Sequence, residues 1–385
     1  MFKNFNYIII GSGFAGSVIA ERIASVLNQK VLIIEKRNHI GGNCYDYKDE
    51  NNIIVHKYGP HLFHTDYKEV FDYLSNFTDW EIYQHRVLAF IDGKKVPIPF
   101  NLNTLYEVFP KTLAEKLESK LLGRYNYNSK VPILDLLKEE DQDLKFLANY
   151  IYDKVFKNYT AKQWGLKPEE IDPQVTARIP IYISRDNRYF TDKYQAVPKE
   201  GYSKIFERML NHPNIKIMLN TDFKEVLSID FENKKIYFMG QEFKGKLIFT
   251  GMIDELFNFK YGYLLYRSLD LKFETIEKEY YQEAPVVNYP NDYDFTRITE
   301  FKHIHPAKSE KTTILKEYPK AYQSNRDIPY YPIFTKENQE IYNRYKEEAE
   351  KFENLILVGR LAEYRYYDMD DVVKKALEVF EEEIR

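Results

Sequence analysis

A glycine-rich turn directly after an apolar strand constrains this chain more than any other feature. Residues 7–16 read YIIIGSGFAG, in which an apolar run leads into the spacing Gly-x-Gly-x-x-Gly. In a strand–turn–helix unit, Gly11 permits the tight turn, Gly13 lets the backbone approach a pyrophosphate, and Gly16 lets the helix pack close to the strand. The helix then begins at the phosphates, where its unpaired N–H groups favour an anion. The pattern predicts a dinucleotide site.

A second apolar strand supports this interpretation. Residues 31–34 read VLII and end at Glu35, about 20 residues after the turn, where such folds place the carboxylate that binds ribose. An ordinary strand–helix turn that contains glycines has no need of an acidic residue at this distance. We therefore expect one set of residues from this unit to bind the dinucleotide: Gly11, Gly13, Phe14, Ala15, Gly16, Glu35 and Lys36.

Composition excludes several classes of protein. The 385 residues are 44% apolar, enough for a full core and two or three structural units. A net charge of −4 creates no positive field that would attract nucleic acid. Cys44 is the only cysteine, which excludes an internal disulfide framework, and no apolar run approaches the ~20 residues that span a bilayer. Because the first apolar run is already the glycine strand, we expect no signal peptide, no membrane partner and a cytoplasmic location.

The rest of the chain predicts an α/β protein in which the dinucleotide domain is interrupted. A helical period places Leu113, Leu117, Leu121 and Leu122 on one face and indicates a helical insertion. Segments rich in β-branched and aromatic residues, punctuated by proline, favour an antiparallel sheet. The dinucleotide domain is expected to resume with a helix near residues 205–210 and strands near 215–219, 247–249 and 355–358. A closing helix follows at about 370–383.

These patterns divide the chain into seven segments. The dinucleotide domain takes residues 1–79, 201–262 and 346–385, the helical insertion takes 104–173, and the antiparallel sheet takes 80–103, 174–200 and 263–345.

Four motifs give the chain a specific resemblance. They are GGNCYD at residues 41–46, YGPHLFHT at 58–65, YTAKQWG at 159–165 and GRLAEYRYYDMD at 359–370. Together, and in this order, they resemble the UDP-galactopyranose mutase family over essentially the whole chain.

The resemblance implies a fold, a cofactor and a reaction. The fold is an interrupted Rossmann-like FAD-binding domain with a helical insertion and an antiparallel β-sheet domain. The reaction interconverts UDP-galactopyranose and UDP-galactofuranose and supplies galactofuranose for surface glycans, with N5 of reduced FAD as the covalent nucleophile and no net redox change. The implied partners are a UDP-sugar and an external reductant such as NAD(P)H. A homodimer is one state that the sequence leaves open.

The resemblance also implies roles for particular residues. Arg178 and Arg297 match two arginines that grip the diphosphate, and they are the catalytic candidates together with His61. Tyr189, Tyr331 and Tyr366 match neutral donors to the phosphates, although Tyr330 and Tyr367 are adjacent alternatives, and Tyr159 and Trp164 match residues that frame uridine. Further contacts to the cofactor fall on a set that follows the motifs: Gly42, Asn43, His61, Arg360, Asp368 and Met369.

Some of these residues also have a purely structural interpretation. Arg297 could pair with Glu300, three residues along the chain. His61 and His64 have no accompanying acidic ligand or cysteine cluster, so no metal site is predicted. Cys44 is expected to be a packed loop residue, because no partner that would activate the thiol is identifiable.

Two other functions share part of the pattern. An amine-oxidase-like flavin oxidoreductase has the same glycine turn, but it would surround an amine with aromatic rings, whereas this chain offers arginines and tyrosines for a diphosphate. A flavin-binding protein without activity would keep the fold alone. The sequence does not decide whether a 2-acetamido sugar is also accepted.

Overall fold

The computed structural model describes residues 5–165, 180–323 and 326–385. Its first part is a five-stranded parallel sheet with the spatial order β12-β2-β1-β16-β22. The strands come from three distant parts of the chain: β1 Tyr7–Ile10, β2 Val31–Ile34, β12 Ile215–Met218, β16 Lys246–Phe249 and β22 Leu355–Leu357. The α/β class with a Rossmann-like domain is thereby confirmed.

The sheet is buried between two apolar layers because successive strand residues point to opposite faces. Ile9 and Ile33 pack against helix α1 (Phe14–Val26) on one face, together with the closing helix, and Ile8 and Leu32 pack on the other face. Parallel strands covered on both faces are expected to be continuously apolar, as β1 and β2 are.

A seven-stranded sheet forms the second part, in the order β21-β17-β20-β19-β18-β7-β8. One neighbouring pair, β7 with β18, is parallel, so the sheet is mixed rather than purely antiparallel as expected. Its strands are β7 Val87–Ile91, β8 Lys94–Ile98, β17 Tyr266–Ile276, β18 Val286–Asn288, β19 Arg297–Glu300, β20 Thr312–Ala321 and β21 Tyr331–Pro332.

Smaller sheets hold the remaining described strands. Residues 174–200 were expected in the large sheet, but their described strands pair elsewhere: β10 with β9, and β11 with β5 and β6. The local pattern predicts the strands correctly, but it carries no information about their partners. The small strands are β3 Asp46–Lys48, β4 Ile54–His56, β5 Phe63–Thr65, β6 Trp80–Ile82, β9 Lys130–Val131, β10 Ile181–Tyr182, β11 Tyr194–Pro198, β13 Leu227–Asp230, β14 Lys235–Phe238 and β15 Gln241–Glu242.

A helical insertion lies between β8 and β10. Leu117 and Leu121 are buried in its core as predicted, but Leu122 is 43% exposed, because it lies about 100° around the helix from Leu121. Its helices are α3 Leu102–Val108, α4 Lys111–Arg124, α5 Ile133–Leu136, α6 Gln142–Ile151 and α7 Asn158–Trp164, with a π-helical stretch at Tyr152–Lys157.

The remaining helices support the two sheets. They are α2 Lys68–Leu74, α8 Tyr202–Met209, α9 Phe223–Val226, α10 Ile253–Leu256, α11 Lys336–Ala349 and α12 Met369–Val379, and the last continues as a π-helix at Phe380–Ile384. None of the helices in the described ranges has the length and apolar character required to cross a bilayer. The seven segment boundaries given by the sequence stay a prediction.

At Gly16, helix α1 packs tightly against the turn that follows strand β1. A Cβ on Gly16 would lie 2.1 Å from the carbonyl oxygen of Gly11, which belongs to the rigid turn. Gly123, in helix α4, has open space where its Cβ would be.

We predict opposite effects for alanine at these two glycines. Gly16→Ala should lower the free energy of unfolding by about 1–3 kcal/mol or more, because the backbone must shift to relieve the overlap. Gly123→Ala, the matched control, should be neutral or stabilising by up to ~1 kcal/mol. Thermal unfolding of both variants checks this, and equal midpoints would contradict the close packing at Gly16.

Candidate active site

Two cavities meet at the carboxyl edge of the parallel sheet. The first, about 250 Å³, is lined by residues that follow the strands within two positions, including Gly11, Glu35, Thr250 and Gly359. The second, about 220 Å³, lies between the loop 58–64, the seven-stranded sheet and helix α7. Six residues line both cavities: Asn43, His61, Tyr330, Arg360, Asp368 and Met369.

The glycine turn is held by hydrogen bonds to the second strand. Gly11 has φ +97° and donates its N–H to the carbonyl of Ile34 at 2.9 Å. The Oε2 atom of Glu35 accepts hydrogen bonds from the backbone N–H and the hydroxyl of Ser12, at 3.0 and 2.8 Å. No side chain caps the amino end of α1 at Gly13, so its first N–H groups are available to a ligand.

The first cavity fits the diphosphate and ribose of a dinucleotide. A Cβ on Gly42 would lie 2.9 Å from the Cα atom of Gly13, so two glycine backbones form a cradle that side chains would fill. Arg37 lines the same cavity, and its Nη2 donates to Asn43 at 2.7 Å, whereas its buried Nη1 has no partner among the described residues. A buried guanidinium nitrogen with an unused N–H suits an anionic or hydroxyl-bearing ligand.

The predicted cofactor residues surround this cavity. Gly11, Gly13, Phe14, Ala15, Glu35, Lys36, Gly42, Asn43, His61, Arg360, Asp368 and Met369 all line it. Gly16 does not, because its role is the close packing of α1 on the turn. Met369 begins helix α12, and the Asp368 N–H donates to Asp371 at 3.2 Å.

Arg297 lies in the wall of the second cavity and is held by a carboxylate across the sheet. Arg297 on β19 and Glu317 on β20 are directly opposite in the strand register, and Nε of Arg297 donates to Oε1 of Glu317 at 2.7 Å. Burial opposes the charge of the guanidinium, but Glu317 outweighs it and holds the pKa of Arg297 above its ordinary value. A permanently charged donor is therefore fixed at the cavity.

The suggested pairing of Arg297 with Glu300 is wrong. Glu300 is fully buried and accepts hydrogen bonds from the backbone N–H groups of Tyr281 and Gln282, at 2.8 and 2.9 Å. Residues three apart in a strand point to opposite faces of the sheet, so the separation in sequence gave a false partner.

Arg360 organises a pair of tyrosines at the junction. The rings of Tyr331 and Tyr366 stack with centroids 6.1 Å apart, and the Arg360 guanidinium lies over both. Its Nη1 donates to the carbonyl of Tyr330 at 3.1 Å, and its Nη2 donates to the carbonyl of Tyr367. Arg360 thus ties two distant turns together.

The geometry separates Tyr366 from Tyr367, whereas both Tyr330 and Tyr331 lie at the cavities. Tyr331 and Tyr366 line the second cavity, whereas the hydroxyl of Tyr367 donates to Glu363 at 3.1 Å, and Tyr367 lines neither cavity. Tyr330 lines both cavities, and its buried hydroxyl has no partner among the described residues.

Two more predicted tyrosines complete the lining. Tyr159 on α7 is partly buried, and removal from water raises the pKa of its hydroxyl and keeps it a neutral donor. Tyr189 packs edge-on against His85 and Phe190, with centroids 5.7 and 5.0 Å apart. The predicted Arg178 and the indole of Trp164 lie outside the described part of the structure.

The pKa values of the two motif histidines are shifted in opposite directions. Burial lowers the pKa of His61 to about 4, so its ring is neutral at physiological pH. His64 stacks on Phe190 at 3.6 Å and lies 3.3 Å from the carboxylate of Asp192. Although burial opposes its charge, Asp192 raises the pKa of His64 above the ordinary value.

One histidine cluster was missed by the sequence analysis. Asp46, His56 and His305 place possible metal-ligating atoms within 4.8 Å of one another. The carboxylate of Asp46, however, already accepts hydrogen bonds from the backbone N–H groups of Tyr202 and Ser203 at the start of α8. His56 is likewise engaged through both ring nitrogens.

The sequence analysis missed other site residues as well, and only some of them have a local sequence signal. Arg37 follows Glu35 and Lys36 directly, so extending the motif by one residue would have included it. No local sequence signal marks Glu317, because its role depends on a strand register that pairs it with Arg297, 20 residues earlier in the chain. His85 and Asn288 also line the second cavity without belonging to any motif.

Comparisons with known proteins agree with this geometry. The family model described as UDP-galactopyranose mutase matches residues 154–366, and one described as an NAD(P)-binding Rossmann-like domain matches residues 9–77. The chain is 37% identical to a dTDP-fucopyranose mutase of Escherichia coli, with 96% of each chain covered. It is 36% identical to a probable UDP-galactopyranose mutase of Klebsiella pneumoniae, covering 99% of this chain and 95% of that protein.

A solved structure shares the fold. The crystal structure of a reduced UDP-galactopyranose mutase superposes with a TM-score of 0.71 at 16% identity, covering 99% of this chain and 94% of the other. With relatives above 30% identity along nearly its whole length, and a family model that matches more than half of it, this chain belongs to the UDP-galactopyranose mutase family.

Proposed function

We propose that this protein interconverts UDP-galactopyranose and UDP-galactofuranose with the help of bound FAD. The observation that carries the proposal is the junction of the two cavities, where a dinucleotide cradle adjoins a cavity with a partly buried, charged arginine in its wall. A cofactor and a nucleotide-linked sugar can therefore lie side by side. Family membership supports the same reaction.

The first cavity would hold the cofactor. The N–H groups at the start of α1 and the Gly13–Gly42 cradle would take the diphosphate, and Glu35 would take the ribose. Arg37, which the sequence analysis did not include, would supply its unpaired Nη1 to the same ligand. Reduced FAD would supply the nucleophile at N5, without net redox change, and an external reductant such as NAD(P)H would keep it reduced.

Arg297 would bind the diphosphate of the sugar nucleotide. Glu317 occupies Nε of the guanidinium, which leaves the terminal nitrogens to grip phosphate oxygens as the bond to the sugar breaks. Tyr159, Tyr189, Tyr331 and Tyr366 would add neutral donors around the same group. Arg178 would complete the grip as the family resemblance implies.

The same charge argues against an amine substrate. An amine oxidase must hold a cationic or newly deprotonated amine, and a partly buried guanidinium in the cavity wall would repel the cation. A diphosphate is the complementary ligand. We further propose a cytoplasmic location, and we leave open whether the protein is a homodimer.

A thymidine-linked deoxysugar is the second candidate substrate, because the dTDP-fucopyranose mutase is as similar to this chain as the uridine-linked relative is. Both substrates present a nucleoside diphosphate on a pyranose, and the described cavity residues would bind features that the two share. A direct comparison of the two substrates is therefore part of the test.

The activity should depend on reduced FAD. We expect dithionite-reduced, FAD-loaded protein to convert UDP-galactofuranose to UDP-galactopyranose over many turnovers, measured by chromatography of the nucleotides. The oxidised protein is the control and should be inactive. Conversion of dTDP-fucofuranose alone would reassign the substrate, and no conversion of either furanose would contradict the proposed reaction.

Arg297→Lys tests the diphosphate grip without leaving Glu317 unpaired. Lysine keeps the charge but loses the planar fork. Because one charged hydrogen bond contributes about 1.5–3 kcal/mol, turnover should fall at least roughly tenfold while FAD stays bound. Arg185→Lys, at an exposed pair with Glu118, is the matched control and should keep full activity. Full activity of Arg297→Lys would exclude Arg297 from the diphosphate.

The only thiol should be inert, which removes it as a competing nucleophile. Burial raises the pKa of Cys44 to about 12, so at neutral pH almost none of it is thiolate. We expect a thiol reagent to modify no cysteine in the folded, FAD-loaded protein and one after unfolding. Rapid modification of the folded protein, with loss of activity, would reopen a role for Cys44.

A further inference from the structure

Two buried histidines lie directly behind the loop that carries His61. His56 ends strand β4 and is fully buried, and His305 follows the short 3₁₀ helix Phe301–His303 and is 6% exposed. Their Nε2 atoms are 3.0 Å apart. The proposed reaction does not use either ring, so their arrangement requires a separate explanation.

The hydrogen bonds determine which nitrogen of His56 carries the proton. Its Nδ1 lies 2.9 Å from the backbone nitrogen of His61, and an N–H can only donate, so Nδ1 accepts and is unprotonated. The proton of the neutral ring is then on Nε2, and Nε2 donates to the Nε2 lone pair of His305. The His61 N–H therefore selects the tautomer of His56, and His305 stabilises it by accepting the Nε2 proton.

The surroundings keep both rings neutral. Burial lowers the pKa of His305 to about 4 and holds the pKa of His56 well below its ordinary value, and the neighbouring His305 and His61 oppose charge on His56 further. The other neighbours are the rings of Tyr202 and Phe301 and the carboxylate of Asp46, which is engaged by the start of α8. The acceptor at Nδ1 thus persists across the physiological pH range.

His61 is fixed at two points as a result. Its backbone N–H donates to His56, and its own Nδ1 lies 2.8 Å from the carbonyl of Gly59, to which it must donate. The other ring nitrogen, Nε2, carries a lone pair and has no hydrogen-bond partner among the described residues. Because His61 lines both cavities, this acceptor lies where cofactor and substrate would meet.

We propose that His56 is a positioning residue for His61: the Nδ1 lone pair of His56, maintained by His305, holds the loop so that Nε2 of His61 is presented at the junction of the two cavities. The proposal rests on the proposed function for its effect on turnover. Its structural content, the tautomers and the hydrogen bond to the loop, is independent of the reaction.

Two substitutions of His56 separate its two nitrogens. In His56→Asn, the amide oxygen takes the place of Nδ1 and can still accept the His61 N–H. In His56→Gln, the longer amide takes the place of Nε2, keeps the contact with His305 and leaves the His61 N–H without an acceptor. Both variants lose the ring, so each is the control for the other.

We expect His56→Asn to keep turnover close to that of the unmodified protein and His56→Gln to lower it by roughly tenfold or more, because a small displacement of a site residue has a large effect on rate. The FAD content and the unfolding midpoint of both variants are measured alongside. Equal activities of the two variants, whether high or low, would overturn the proposal.

Nitrogen NMR of histidine-labelled protein tests the same proposal without the reaction. In the unmodified protein, His56 should show a protonated Nε2 and a bare Nδ1, and His61 should show the opposite. In His56→Gln, the His61 ring should lose its single tautomer. A protonated Nδ1 on His56, or an unchanged His61 signal in His56→Gln, would overturn the proposal, whereas absent mutase activity with the expected tautomers would count only against the proposed function.

Discussion

Parallel pairing of strands from three distant segments is the constraint on which the rest of this structure depends. The carboxyl ends of parallel strands lie at one edge of a sheet, so the pairing of β1 with β2 and β16, and of β16 with β22, brings Gly11, Glu35, Thr250 and Gly359 to one cavity. The helical insertion and the mixed sheet can then face this edge. The second cavity forms where they meet it.

Charge in the second cavity is controlled by burial and by one long-range partner. Removal from water penalises every charged group there. Arg297 stays charged because Glu317 compensates it across the sheet, whereas His61 has no acidic partner in the described ranges and stays neutral. A fixed cation beside a neutral acceptor suits a site that binds a diphosphate and leaves a proton acceptor near the sugar.

Local patterns predicted the parts of the fold that local physics determines. The β1–α1–β2 unit follows from an apolar run, three glycines and Glu35. This unit and the family resemblance identified the predicted cofactor residues, and those residues, Gly16 excepted, line the first cavity. The sequence did not reveal which strands pair, so the partners of β11 and the role of Glu317 were missed. His56 was missed for the same reason, because His305 is 249 residues away.

A crystal structure of the reduced, FAD-loaded protein with UDP would test the central claim most directly, namely that the two cavities hold cofactor and sugar nucleotide side by side. The diphosphate of UDP should contact the terminal nitrogens of Arg297 and the hydroxyls around it, while the flavin ring lies at the junction beside His61 and Met369. UDP bound in the first cavity in place of FAD, or on a surface remote from Arg297, would contradict the claim.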